Sequence, residues 1–159
     1  MKPIDPRVID ALNEVLKAEL TAINQYFLHA EMCENWGYNR LAKYIRKESI
    51  DEMRHAETLI ERILFFEGVP NVTDYFRINI GKNVQQQLEN DLRLEYEAIP
   101  RLNKCISVCI EVGDNATREI FEHILLDEEQ HVDWLEAQLG MIGEMGIANY
   151  LARQMHDEE

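Results

Sequence analysis

Residues 48–57 read ESIDEMRHAE and lie in the middle of a segment whose overall spacing is that of a buried helix. Apolar residues recur along this segment at intervals of three and four, which is the period of one helix face. Glu52 and His55 occupy positions on that stripe where leucine or isoleucine is expected. Because buried carboxylates and imidazoles are costly unless they are compensated, the stretch predicts a polar site inside a helical core.

Segments of helical period make up most of the chain, and no segment longer than a few residues has the alternating period of a strand. Glycine, proline and asparagine mark the breaks between these segments. The breaks predict three long helices at residues 6–36, 39–67 and 84–112, a fourth that follows Gly113-Asp114 and ends among the glycines at 140, 143 and 146, and a short amphipathic closing piece at residues 147–155.

The connections between the predicted helices set their directions. Breaks of a few residues make the first and second helices antiparallel neighbours, and likewise the third and fourth. Residues 69–82 are too many for a tight turn, and ~14 residues can run along a helix of ~30–45 Å. We therefore predict an all-α four-helix bundle with one long crossover and a short C-terminal fifth helix, as a single domain over residues 1–159.

Pro100 is an irregularity in the third predicted helix. A proline inside a helix removes a backbone donor, here the amide that would serve the carbonyl of Tyr96, and this costs ~3 kcal/mol. We expect the third helix to kink or to split at this residue.

The charge balance is strongly acidic, with 30 Asp and Glu against 16 Lys and Arg and a formal net charge of −14. This excess argues against nucleic-acid binding, because the phosphate backbone favours basic side chains. No apolar stretch approaches the ~18 residues of a membrane span, and the N-terminus has no apolar signal region. Three cysteines without paired spacing fit a reducing compartment. We expect a cytoplasmic protein with no nucleic-acid or membrane partner.

Each of the four apolar stripes is interrupted by an acidic residue, and two stripes add a histidine three residues later. These residues are Glu19, Glu52, His55, Glu95, Glu128 and His131. A spacing of three puts both side chains of a Glu-x-x-His pair on one helix face, so all six should point into the bundle. Buried carboxylates repel one another unless cations or protons neutralise them. Two divalent cations balance four carboxylates, and this ligand set suits iron or manganese, and zinc less selectively.

A lone Glu on two helices and a Glu-x-x-His pair on the other two is the known ligand pattern of ferritin-like dimetal proteins. The chain resembles a bacterioferritin over essentially its whole length. The distinctive stretches are AINQYFLHAEM (22–32), ESIDEMRHAE (48–57), ERILFFEGVPN (61–71) and LLDEEQHVDWLE (125–136). The resemblance implies a ferritin-like bundle that holds a diiron centre (Fe²⁺/Fe³⁺) in each subunit. It assigns the terminal ligands to Glu19, His55, Glu95 and His131, and the bridging carboxylates to Glu52 and Glu128.

Met53 follows Glu52 by one residue, a turn of ~100° about the helix axis, so its thioether points away from the bundle interior. By resemblance, Met53 is an axial ligand of haem b, with one haem shared by two subunits at a twofold interface. The resemblance also implies a homo-oligomer of 24 subunits built from dimers, which forms a hollow shell. Tyr26 is similar to an aromatic position near the diiron site, although core packing explains a tyrosine there equally well.

The activity implied by the resemblance is that of a ferroxidase, which oxidises Fe(II) to Fe(III) with O₂ or H₂O₂ and stores the ferric mineral. Haem would serve reductive release of iron, with a ferredoxin as the electron donor. One alternative is a non-storage diiron enzyme, such as a rubrerythrin-type peroxidase or an oxygenase. Another is a structural or haem-binding protein with a vestigial metal site. The sequence lacks the CxxC…CxxC module usual in rubrerythrins, and its six ligand positions are intact.

Lys47 departs from a pattern found in some bacterioferritins, where a histidine at this position works with two aspartates as a third iron site on the inner surface. Asp51 and Asp127 match the two acidic partners. A protonated lysine repels Fe²⁺ and cannot bind it. We therefore predict that an inner-surface iron site is weak or absent in this protein.

Overall fold

The computed structural model describes residues 1–156, and that range contains five helices and no strand. The helices are α1 (Arg7–Asn35), α2 (Asn39–Phe65), α3 (Val84–Val112), α4 (Asn115–Met145) and α5 (Ile147–Ala152). They confirm the predicted all-α fold with a long crossover between the second and third helices and a short fifth helix. Within the described range, no helix combines the length and the apolar character needed to cross a bilayer.

Side-chain caps fix the starts of α3 and α4. The Asn83 side chain accepts a hydrogen bond from the Gln86 amide at 2.9 Å, and the Asp114 side chain accepts one from the Thr117 amide at 3.0 Å. Such caps satisfy amides that have no partner in the first helical turn. Between these helices Gly113 adopts φ 77°, the left-handed conformation in which glycine commonly ends a helix.

Two helices continue through residues that were expected to interrupt them. α3 is continuous through Pro100, so the expectation of a split there is wrong. α4 runs through Gly140 and Gly143 and ends at Met145, directly before Gly146, the last of the three glycines that were expected to mark its end. A glycine costs a helix only ~1 kcal/mol relative to alanine, and the burial of Ile142 between them favours the longer helix.

The apolar core consists of two clusters that lie at different heights along the bundle. The first includes Leu12, Leu16, Leu59, Ile63, Leu102 and Phe121, and the second includes Ala30, Leu41, Ile45, Leu88, Leu135 and Ile142. α1 packs chiefly against α2, and α3 against α4. On each long helix, the residues predicted as metal ligands lie between the members of the two clusters. The core therefore encloses a polar layer.

The crossover, residues 66–83, is fixed to α1 by a ladder of hydrogen bonds. Backbone amides of the crossover donate to α1 side chains that are spaced by four residues. The pairs are Phe76 N to Thr21 Oγ1 (2.9 Å), Asn79 N to Gln25 Oε1 (3.0 Å) and Gly81 N to His29 Nε2 (3.0 Å). A Cβ on Gly81 would lie 2.3 Å from the Gln87 amide nitrogen, so this close approach requires glycine.

Candidate metal centre

The polar layer between the two core clusters brings together all six residues predicted as metal ligands. Each of them is at most 6% exposed. They form two groups of four, and in each group one potential ligand atom per residue lies within 4.8 Å of the others. The first group is Glu19, Glu52, His55 and Glu128, and the second is Glu52, Glu95, Glu128 and His131.

Glu52 and Glu128 belong to both groups. They come from α2 and α4, and each lies three residues before a histidine on the same helix face. Two carboxylates shared by two neighbouring groups are the arrangement needed to bridge a pair of metal ions. The remaining members, Glu19 with His55 and Glu95 with His131, are each confined to one group.

Both histidines turn Nδ1 toward the carboxylates. His55 Nδ1 lies 3.2 Å from Glu128 Oε1 and 3.5 Å from Glu19 Oε2. His131 Nδ1 lies 3.1 Å from Glu52 Oε1 and 3.7 Å from Glu95 Oε1. Each histidine therefore presents the same ring nitrogen to one carboxylate that both groups share and to one that belongs to a single group.

The other ring nitrogen of each histidine faces an aspartate at the edge of the centre. His55 Nε2 lies 2.7 Å from Asp127 Oδ2, whereas His131 Nε2 lies 4.0 Å from Asp51 Oδ2. A carboxylate on the outer nitrogen keeps the proton there and leaves the inner nitrogen free to bind a metal. Asp127 is within hydrogen-bond distance of His55, whereas Asp51 lies too far from His131 for a direct hydrogen bond.

Every one of the six residues has a buried side-chain atom without a hydrogen-bond partner in residues 1–156. These atoms are Glu19 Oε2, Glu52 Oε1, His55 Nδ1, Glu95 Oε2, Glu128 Oε1 and His131 Nδ1. Buried polar atoms in proteins are otherwise almost always paired, because an unpaired one costs ~1–3 kcal/mol. Lone pairs that converge from four carboxylates and two imidazoles fit a pair of hard or borderline divalent cations.

The carboxylates of the metal-free centre have pKa values that shift in different directions. Burial, together with repulsion from Glu128, raises the pKa of both Glu52 and Glu95 well above the ordinary value. For Glu128 burial acts in the same direction, but the close side chains of Glu95, His131 and His55 outweigh it and lower its pKa. The metal-free centre consequently retains protons that metal ions would displace.

The pKa values of the two histidines are raised, although burial by itself would lower them. Burial alone would lower the pKa of His55, but the close carboxylates of Glu128, Glu19 and Glu52 outweigh it and raise the pKa. The pKa of His131 is likewise raised by the nearby carboxylates of Glu128 and Glu95, against the effect of burial. Both imidazoles must lose a proton before Nδ1 can bind a metal.

Tyr26 lies at the edge of the centre and is fully buried. Its hydroxyl donates a hydrogen bond to Glu95 Oε1. Burial, followed by the charge of Glu95, raises the pKa of Tyr26 well above its ordinary value, so the phenol keeps its proton. The tyrosine therefore contacts a candidate ligand as well as filling the core.

Two further buried acids next to the centre were not singled out from the sequence. Glu48 is 1% exposed, and neither of its carboxylate oxygens has a hydrogen-bond partner among the described residues. Asp91 accepts hydrogen bonds from Gln25 and His29 at 2.8 Å. Both acids precede a candidate ligand by four residues on the same helix, and this spacing is the signal that could have identified them.

Met53 and Lys47 lie outside the six-residue centre. Met53 is 53% exposed on the surface of α2, as its turn away from Glu52 predicts. Lys47 Nζ lies 3.1 Å from Asp51 Oδ2, so the lysine forms an ion pair with one of the two aspartates that would support an inner-surface site.

Comparison with known proteins identifies the family of this chain. A family model described as a ferritin-like domain matches residues 9–145. The chain is 48% identical over 149 residues to the bacterioferritin of Mycolicibacterium paratuberculosis, covering 94% of each chain. The chain belongs to the bacterioferritin family. The resemblance predicted from its motifs is thereby confirmed.

Other members of the bacterioferritin family match to a similar extent. The bacterioferritin of Streptomyces coelicolor is 49% identical over 148 residues, which cover 93% of this chain and 89% of the relative. The bacterioferritin of Brucella melitensis is 45% identical over 146 residues, which cover 92% of this chain and 91% of the relative. The residues matched by the family model, 9–145, include all six residues of the centre.

Proposed function

We propose that this member of the bacterioferritin family is a ferroxidase that oxidises Fe(II) to Fe(III) for iron storage and detoxification. The observation that carries the proposal is the pair of four-residue groups that share Glu52 and Glu128. Their unpaired buried atoms supply ligands for two iron ions, which we treat as the substrate. Four carboxylates and two Fe²⁺ ions sum to zero charge when both imidazoles are neutral.

In this proposal Glu19 and His55 hold one iron ion, Glu95 and His131 hold the other, and Glu52 and Glu128 bridge them. Asp127 keeps the proton of His55 on Nε2, so that Nδ1 binds metal. Tyr26 fixes the orientation of Glu95 through its hydroxyl. Each Fe(II) loses one electron, and a pair supplies the two electrons that reduce O₂ to H₂O₂ or H₂O₂ to water.

We further propose that the chain assembles as a shell of 24 identical subunits built from dimers, in the cytoplasm. Family membership supports the oligomer. The exposed Met53 lies three residues from exposed Ile50 on the surface of α2, an apolar feature suited to a twofold contact. A thioether from each of two subunits would hold one haem b, which supplies a one-electron redox centre when bound. A ferredoxin is the proposed electron donor for iron release.

Anaerobic loading with Fe²⁺ followed by addition of O₂ tests the ferroxidase proposal. We expect Glu95→Ala and His131→Ala to slow oxidation and to reduce the iron bound per chain. Glu89→Ala, which removes an exposed carboxylate from the same helix as Glu95, serves as the control. Fast, biphasic oxidation in either ligand variant would contradict the assigned roles.

The mass of the purified assembly tests storage separately from oxidation. A shell of about 24 chains supports storage, because a hollow oligomer is needed to enclose mineral. A particle no larger than a dimer that still oxidises Fe(II) would instead support a non-storage diiron enzyme.

A further inference from the structure

The side of the metal centre that faces the crossover is narrow. Between α1 and α3 there remains only a cavity of about 20 Å³, enough for about one water molecule. Four of the candidate ligands border this cavity, together with a crossover side chain, a basic side chain and an exposed acidic side chain: Glu19, Glu52, Glu95, Glu128, Phe76, Arg101 and Glu97. The crossover residue Phe76 therefore lies directly outside the carboxylates.

The Phe76 ring is held in this position by two cationic side chains. Lys17 Nζ lies 4.2 Å from the ring centroid, and the Arg101 guanidinium lies 4.3 Å from it. Both distances are typical of cation–π contacts. The Phe76 amide also donates to Thr21 Oγ1 at 2.9 Å, which fixes the backbone that carries the ring. α1, α3 and the crossover thus jointly fix one aromatic side chain over the centre.

The opposite side of the centre is open and polar. A groove between α2 and α4 has a volume of about 400 Å³, and its lining includes His55, His131, Asp51 and Asp127. Lys47 and Arg54 also line it, and both pair with Asp51, at 3.1 and 3.8 Å. A hydrated cation can be solvated in this groove, whereas an apolar ring narrows the other side.

We propose that Phe76 is a plug that closes the crossover side of the metal centre, so that metal ions exchange with the centre through the groove between α2 and α4. The proposal rests on the proposed function of the centre as a dimetal site. The plug excludes hydrated cations by its bulk, because the space beside it holds about one water molecule. It leaves the six ligands untouched, so its removal changes the rate of metal binding more than the number of ions bound.

Stopped-flow binding of Co²⁺ to the full-length, metal-free protein tests the plug, because Co²⁺ absorption reports site occupancy without turnover. We expect Phe76→Ala to bind the same number of Co²⁺ ions per chain, with association faster by roughly an order of magnitude. Phe76→Leu, which keeps a smaller apolar side chain, should give an intermediate rate. Tyr75→Ala removes the exposed aromatic neighbour and should leave the rate unchanged.

A second pair of variants tests the groove. Gln130→Arg adds a positive charge to the groove lining and should slow Co²⁺ association in the otherwise native chain. In the Phe76→Ala background the same change should have little effect, because a second path is then open. An unchanged association rate in Phe76→Ala, or no slowing by Gln130→Arg in the native background, overturns the proposal. If the native chain binds fewer than two Co²⁺ ions, the dimetal assignment itself fails, and this outcome is distinguishable from failure of the plug.

Discussion

His55 Nε2 lies 2.7 Å from Asp127 Oδ2, while the corresponding contact between His131 and Asp51 is 4.0 Å long. The two halves of the metal centre have matching ligands, but their supporting aspartates differ. Asp51 also contacts Lys47 and Arg54, which draw its carboxylate toward the surface. The half that contains His55 is consequently the better preorganised of the two.

Replacing Asp127 should weaken metal binding at this half. In Asp127→Asn the side chain can donate its amide to Nε2, which moves the imidazole proton to Nδ1, the atom that faces the carboxylates. Loss of such supporting carboxylates lowers metal affinity about 10–100-fold. A calorimetric titration of the metal-free protein with Co²⁺ measures the effect. Asp51→Asn is the matched control and should lower the affinity for Co²⁺ less. Equal losses of affinity in the two variants would argue against the asymmetry between the two aspartates.

Replacing Met53 should abolish haem binding without affecting the metal centre. The side chain is 53% exposed and points away from Glu52, so Met53→Leu keeps the apolar surface and removes only the thioether. We expect no stoichiometric bis-methionine haem spectrum, native assembly and unchanged Fe²⁺ oxidation. Met141→Leu changes another partly exposed methionine and should retain haem. A full haem complement in Met53→Leu would exclude this ligand.

Removing the buried carboxylate of Glu48 should stabilise the metal-free protein at alkaline pH. Burial raises the pKa of Glu48 from 4.5 to about 8, against the smaller opposing effect of His131. The native state therefore binds this proton more tightly than the unfolded chain does, and stability is lost as pH rises from about 4.5 to about 8. The shift sets an upper bound of roughly 5 kcal/mol on this penalty.

Thermal unfolding of chelator-treated protein between pH 5 and pH 9 checks the sign. We expect Glu48→Gln to melt above the native protein at pH 8 and the difference to shrink toward pH 5. Glu57→Gln alters an exposed glutamate on the same helix and should follow the native curve. A stabilisation that is equal at both ends of the range would show that deprotonation of Glu48 is not its cause.

The ion pair of Lys47 with Asp51 should prevent a third iron ion from binding tightly at the groove. The ammonium lies 3.1 Å from the carboxylate and repels a cation there. Equilibrium Fe²⁺ binding under anaerobic conditions should saturate at two ions per chain, both in the native protein and in Asp51→Asn. A tight third site that disappears in Asp51→Asn would contradict this expectation.

Much of the fold and of the centre could be predicted from the sequence because both depend on helical period. The interruption of four apolar stripes by Glu19, Glu52, Glu95 and Glu128 is visible in a linear chain. A spacing of three between Glu52 and His55 fixes a shared face whatever the tertiary structure. The length of residues 69–82 likewise made a long crossover necessary.

Helix boundaries were predicted less well where packing overrides local preference. Pro100 was expected to kink or split α3, and no split occurs; of the three glycines expected to mark the end of α4, the first two lie within the helix and only Gly146 ends it. The local penalties of ~1–3 kcal/mol are smaller than the gain from burying the rest of a long helix against the bundle.

The sequence by itself determined which side chains enter the core, because helical periodicity is a property of neighbouring residues. Only the tertiary structure decided what lies against them. The pairing of His55 with Asp127 and the position of Phe76 outside the carboxylates join residues separated by tens of positions. Such contacts depend on how the helices and the crossover pack, and no spacing within one helix encodes them.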